Sequence, residues 1–196
     1  MFRKSGYILI FSFLFFTKGQ TQNFMHGAGV NFFFMANKTA VSPGIYNNNL
    51  LFFTNLTYFP KFTLTESENS SVSVGIPLGA GIGLVRDGGG DYGSVYYGFD
   101  FPLVIDYNMG CKATAEMDEG FGWYIGAGFG YTLTNWTDGS STEKSNSYGP
   151  LLRSGVRFGL NDDRHPERAL TIALFFKPGL EKAKFKTYGI GVITEF

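Results

Sequence analysis

Apolar and polar residues alternate with a period of two along most of this chain. The clearest run is Val72, Val74, Ile76, Leu78, Ala80, Ile82 and Leu84, interleaved with Ser73, Gly75, Pro77, Gly79, Gly81 and Gly83. A second run has Val95, Tyr97, Phe99, Phe101, Leu103, Ile105 and Tyr107 against Ser94, Tyr96, Gly98, Asp100, Pro102, Val104 and Asp106. A third has Phe121, Trp123, Ile125, Ala127, Phe129, Tyr131 and Leu133 against Gly122, Tyr124, Gly126, Gly128, Gly130, Thr132 and Thr134. This period predicts strands with one apolar and one polar face. Rougher versions cover about 24–35, 48–64, 152–160, 170–176 and 188–196, so eight strands are expected.

Polar stretches rich in turn formers join them, at about 37–47, 65–70, 86–92, 109–119, 136–147, 161–167 and 178–183. Pro60, Pro77, Pro102 and Pro150 fall inside predicted strands, where each removes a ladder donor. They are expected at bulges or strand ends. No later segment is long and apolar enough for a membrane helix, so a membrane location requires a closed barrel, in which every backbone polar group is paired.

The two faces decide the solvent. One is bulky and aromatic; the other is mainly glycine, serine and charge. The interior of an eight-stranded barrel is only just wide enough for side chains. Small and polar inward, apolar outward, is the membrane solution. Tyr58, Tyr92, Tyr107, Trp123, Trp136, Tyr148, Tyr188 and Phe196 fall near strand ends, where amphipathic rings meet headgroups.

The first residues read differently. Arg3 and Lys4 precede an apolar run from Tyr7 to Phe16, followed by Thr17-Lys18-Gly19-Gln20. This is the pattern of a secretory signal peptide, with cleavage expected after Gly19. Residues 20–196 then form a single domain. Removing Arg3, Lys4 and Lys18 from 16 basic residues leaves 13 against 16 acidic ones, a charge of −3. That balance offers no footprint for nucleic acid. Cys111 is the single cysteine, so no intramolecular disulfide forms.

With these features the chain resembles the small bacterial outer-membrane β-barrel family, eight-stranded and porin-like. The resemblance spans residues 20–196 and rests on the signal peptide, the alternating strands, Val74-Gly75-Ile76-Pro77-Leu78-Gly79-Ala80-Gly81, Trp123-Tyr124-Ile125-Gly126-Ala127-Gly128 and the terminal Phe196. It implies an all-β, closed, antiparallel up-and-down transmembrane barrel in the bacterial outer membrane. It implies outer-membrane lipid as surroundings and the barrel-assembly machinery as partner during insertion. Tyr188, Ile190, Val192 and Phe196 would carry the assembly signal. The chain departs from the family pattern in that connection 109–119, on the periplasmic side, is longer than 86–92.

With a periplasmic N-terminus, Asp106, Arg157 and Glu195 fall in the inner half of the lumen, and Asp100 and Arg153 higher. Buried charges must pair. These five residues are therefore expected to form a lumenal charge network that plugs the barrel. Glycines 79, 81, 83, 126, 128 and 130 alternate within strands, so they do not form a nucleotide loop. They are expected to let neighbouring aromatic rings lie across them.

Catalytic chemistry is not apparent. His26 and His165 both lie on the periplasmic side, away from the outer leaflet where a lipid-modifying enzyme would act, and with Cys111 they form no metal-ligand cluster. The reading is a non-enzymatic barrel without cofactor, structural or engaged with a surface or envelope protein, with 37–47 and 136–147 as contact surfaces. The alternatives are a soluble lipocalin-like ligand-binding barrel and a lipid-modifying barrel enzyme.

Overall fold

The computed structural model describes residues 24–42, 45–86, 92–114, 119–138, 141–160, 168–180 and 186–196. Ten strand segments are present: β1 (Phe24–Ser42), β2 (Ile45–Glu66), β3 (Ser70–Gly75), β4 (Leu78–Arg86), β5 (Tyr92–Asp100), β6 (Leu103–Gly110), β7 (Phe121–Asp138), β8 (Ser141–Gly159), β9 (Ala169–Pro178) and β10 (Lys186–Glu195). All pairings are antiparallel. β1 pairs with both β2 and β10, so the sheet closes on itself. β3 and β4 follow each other along one pass, as do β5 and β6, and the ring therefore has eight passes. Closure leaves no sheet edge.

Two passes are broken because of proline. Ile76 and Pro77 separate β3 from β4, and Phe101 and Pro102 separate β5 from β6. Pro60 sits where β2 changes partner, between Tyr58↔Leu78 and Lys61↔Gly75, and its carbonyl accepts from the Ile76 amide at 3.1 Å. Its missing donor therefore faces the break rather than an intact ladder. Pro150 precedes the start of the β8–β9 ladder at Leu152↔Phe176. Each proline stands where the ladder is already interrupted.

The polar stretches 37–47 and 136–147 differ from expectation. They are not open loops: β1 runs to Ser42 and β2 starts at Ile45, with Asn37↔Asn49, Lys38↔Asn48 and Thr39↔Asn47 in register. β7 likewise runs to Asp138 and β8 starts at Ser141. Among the described residues the β1–β10 ladder ends at Ala36↔Lys186, while the β1–β2 pairing continues as a two-stranded ribbon to Ser42↔Ile45. Polar composition marks departure from the apolar band, not the end of hydrogen bonding. The end carrying these ribbons is called distal; the end with Phe24 and Phe196 is proximal.

At the proximal end, connection 109–119 also differs. β6 persists to Gly110, and Gly110–Ala113 turns inward, with the Ala113 amide bonded to the Gly110 carbonyl at 2.8 Å. Gly110 and Lys112 both have positive φ, 71° and 56°. Cys111, Lys112 and Ala113 are buried, and the Ser71 hydroxyl donates to the Ala113 carbonyl. The extra length of this connection is used to cover part of the mouth.

Candidate functional site in the barrel lumen

Strand parity places the bulky apolar set outside. Phe32, Phe52, Leu56, Ile82, Phe99, Leu103, Ile125, Leu152, Leu174 and Ile190 are all exposed, whereas Asn55, Lys61, Asp106, Tyr124, Arg157 and Glu195 are buried. Tyr58, Tyr107, Trp123 and Phe196 mark the proximal margin of the outer surface; Tyr97, Tyr131, Tyr148 and Tyr188 mark the distal one. Trp123 and Tyr131 lie eight residues apart on β7, about 27 Å along a strand at ~3.4 Å per residue. A tilt of ~40° shortens that to roughly 20 Å, close to the apolar height of a bacterial outer-membrane barrel. A soluble lipocalin-like barrel needs this face turned inward, so that alternative does not fit. The side chains of Tyr92 and Trp136 lie outside the described residues.

Inside, β2, β8 and β10 converge on one carboxylate. Oε2 of Glu195 accepts from Nζ of Lys61 at 2.5 Å, and Oε1 accepts from Nε of Arg157 at 2.9 Å and from the Thr171 hydroxyl at 2.7 Å. Arg157 is wholly buried; its Nη2 donates to Oδ1 of Asn108 at 2.8 Å, and Asn108 donates to the Ser73 hydroxyl at 2.9 Å. Inward parity brings these groups together, and desolvation makes their pairing obligatory.

The next tier is built on Arg153. Its Nε lies 3.5 Å from Oδ1 of Asp106, and its Nη2 donates to the Tyr124 hydroxyl at 3.0 Å. The guanidinium carbon sits 4.7 Å from the Phe59 ring centre and 4.8 Å from that of Tyr124, while Arg157 stacks on Tyr124 at 4.6 Å. Aromatic rings against a buried guanidinium replace water with cation–π attraction. Phe59, Val104 and Leu151 form an apolar cluster with Phe175 against it. More distally, Nζ of Lys177 donates to the Thr132 hydroxyl at 2.5 Å, which donates to Oδ1 of Asp100 at 2.6 Å.

Crystal structures of small outer-membrane proteins share this fold. Ail, the attachment invasion locus protein of Yersinia pestis, aligns over 90% of this chain and 100% of its own, with TM-score 0.52 and 10% identity. Outer membrane protein OprG from Pseudomonas aeruginosa aligns over 90% and 97%, with TM-score 0.52 and 13% identity. Neisserial surface protein A aligns over 88% and 95%, with TM-score 0.50 and 8% identity. The chain folds as an eight-stranded outer-membrane β-barrel. No family model and no curated protein matches it in sequence.

Within this barrel the five expected lumenal residues fall into three groups. Asp106 meets Arg153, Arg157 meets Glu195, and Asp100 stands apart with Thr132 and Lys177. Lys61, Lys177 and Tyr124 were not expected as members. Lys61 was legible, since it shares the inward parity of Asn55, Thr57 and Thr63. Lys177 adjoins Pro178 at a predicted connection and reads there as a solvated charge. Tyr124 was the bulky exception on a face of small residues.

The glycine expectation shifts position. Gly126 leaves room for the Asp106 carboxylate, and Gly79 for Asn55. Aromatic rings instead lie over Gly155, against Tyr124, and over Gly189, against Phe175. Of the assembly-signal residues, Tyr188, Ile190, Val192 and Phe196 all face outward on or just beyond β10. The Phe196 amide and carbonyl both bond His26, at 2.9 and 3.0 Å. His26 itself stacks on Phe196 with 5.8 Å between ring centres and bonds the Tyr58 hydroxyl at 2.5 Å, a packing role at the proximal rim. Residues 1–19 and His165 lie outside the described residues.

Proposed function

We propose that the protein is a non-enzymatic, non-conducting outer-membrane barrel that meets another surface or envelope component through its two distal ribbons. The observation carrying this reading is the stack across the bore. The Arg153 guanidinium lies over the Phe59 and Tyr124 rings, at 4.7 and 4.8 Å, next to the level filled by Arg157, Glu195 and Lys61. A diffusive path would have to break ion pairs whose separation in a low-dielectric interior costs several kcal/mol, about 3–5 for a buried pair. Recordings in planar bilayers test this: the refolded wild type passes no stepwise current. A steady conductance would overturn the closed lumen.

The ribbon reading assigns the distal end to the outside. In a Cys111→Ala background, Asn146→Cys should react with a membrane-impermeant maleimide on intact cells, and Glu68→Cys only after permeabilisation. The opposite pattern would invert the orientation. Residues 1–19 are removed on export in this reading, so N-terminal sequencing of the membrane-extracted protein should begin at Gln20; a start at Met1 would contradict it.

A further inference from the structure

We propose that Lys61, Glu195 and Gly27 form an interior latch that closes the barrel and fixes the register in which its first and last strands meet. The junction concerned is the β1–β10 ladder, which joins the two ends of the chain. The other ladders join passes that follow one another in sequence, so each can form as a local hairpin.

Sequence distance divides the partners of Glu195. Arg157 and Thr171 lie 38 and 24 residues from it, on β8 and β9, which join β10 in one three-stranded unit. Lys61 lies 134 residues away on β2, on the far side of β1. The entropy of closing a loop grows with its length, so the C-terminal unit forms first and the contact with Lys61 last. Until then the carboxylate already has Arg157 and Thr171, whereas Lys61 relies on water. Closure strips that water, since Lys61 is 2% exposed in the finished barrel. A buried ammonium without a counter-charge is costly, so sealing depends on its reaching Glu195.

The route runs over a glycine. Gly27 of β1 stands in register between Glu195 of β10 and Phe59 of β2. A Cβ there would lie 2.9 Å from Cγ2 of Ile193 and 3.6 Å from Cγ of Glu195. The missing side chain opens a window across β1. Slips by one residue are excluded by parity, because they turn the apolar face inward. The latch discriminates slips by two. One sets Glu195 against Met25, whose buried side chain fills the window. The opposite slip sets it against Gly29, whose β2 partner is Thr57, four residues from Lys61. The native register offers both the gap and the cation. Fixing register is the best-attested use of a buried ionic group.

Disulfide trapping during refolding of the full chain into lipid vesicles tests the latch, in a Cys111→Ala background. Thr194 has Ala28 across from it on β1 and Leu170 on β9. Ala28→Cys/Thr194→Cys reports native closure, Val30→Cys/Thr194→Cys a two-residue slip, and Leu170→Cys/Thr194→Cys the C-terminal unit. The unit is expected to cross-link before the native junction, with little slipped product. Glu195→Gln should slow the native cross-link about tenfold and raise the slipped one while leaving the unit unchanged, the signature of a partner missing only at closure. Adding Lys61→Met should bring the native cross-link back toward the wild-type rate. Simultaneous cross-linking of unit and junction in the wild type, equal slowing of both in Glu195→Gln, an unchanged native rate in that variant, or no recovery with Lys61→Met would each overturn the latch. Gly27→Val keeps both charges and should also slow native closure alone. It carries the test if Glu195→Gln does not insert, and an unchanged closure rate in it would equally overturn the proposal.

Discussion

Glu195 on β10 and Arg157 on β8 meet at 2.9 Å across an intervening strand. Lys61 on β2 reaches the same carboxylate from the other side. One side chain therefore ties the last strand to both flanks of the barrel. Glu195→Gln should destabilise the refolded barrel by about 3–5 kcal/mol, because two buried cations lose their partner. Urea unfolding in lipid vesicles measures it. The double variant Lys61→Met/Glu195→Gln should recover part of that loss, and a double variant worse than the single would contradict the strut.

Tyr124 serves Arg153 twice, through its ring and its hydroxyl. Tyr124→Phe keeps the ring and removes the hydroxyl, and should cost about 1.5–3 kcal/mol. Tyr124→Leu also removes the stacking and should cost a further ~0.5–2 kcal/mol. Equal losses in the two variants would mean that the ring contributes nothing, an outcome the same unfolding assay resolves.

Gly126 is a packing requirement rather than a conformational one. A Cβ there would stand 1.9 Å from Oδ1 of Asp106, whereas one at Gly120 would meet nothing within 4 Å. Gly126→Ala should therefore cost about 1–3 kcal/mol by overpacking. Gly120→Ala should stay within about 0.5 kcal/mol of wild type. Thermal gel-shift curves of both variants, side by side, provide the check.

Leu103 is exposed in the middle of the β5–β6 pass and Thr194 lies near the proximal rim. Leu103→Arg should cost about 2–4 kcal/mol at mid-depth, and Thr194→Arg about 0–1. Refolding yield and urea midpoints in vesicles report both. The reverse order would place the band wrongly.

Phe196 separates assembly from stability. It faces outward at the rim and stacks on His26. If the assembly machinery reads this residue, Phe196→Ser should lower insertion in cells several-fold while in vitro refolding changes by only ~1 kcal/mol, the cost typical of a rim substitution. Equal losses in both measurements would remove its role as a signal.

The fold was largely legible because a membrane barrel writes its solvent into every second residue. The parity of Val72 to Leu84 or Val95 to Tyr107 assigned inside and outside without any tertiary information. Strand length was less legible: Asn47 to Asn49 and Ser145 to Ser147 are polar because they leave the apolar band, yet their backbones remain paired. In the lumen, parity identified which residues enter but not which of them meet. Register and tilt decide that Asp106 joins Arg153 while Asp100 joins Thr132, and neither is encoded locally. Tyr124 stayed hidden because a single ring among glycines looks like an exception until a guanidinium is found against it.

The prolines have a mechanical consequence. Pro60, Pro77 and Pro102 lie on three successive passes, and between Gly75↔Val104 and Gly79↔Asp100 the β3–β4 pass and the β5–β6 pass are not paired with each other. A closed cylinder resists swelling through the continuity of its hoops, and here several neighbouring hoops are interrupted at one height. Swelling under lateral tension is therefore expected to begin along this seam rather than on the opposite side, where the ladders from β7 to β1 are continuous.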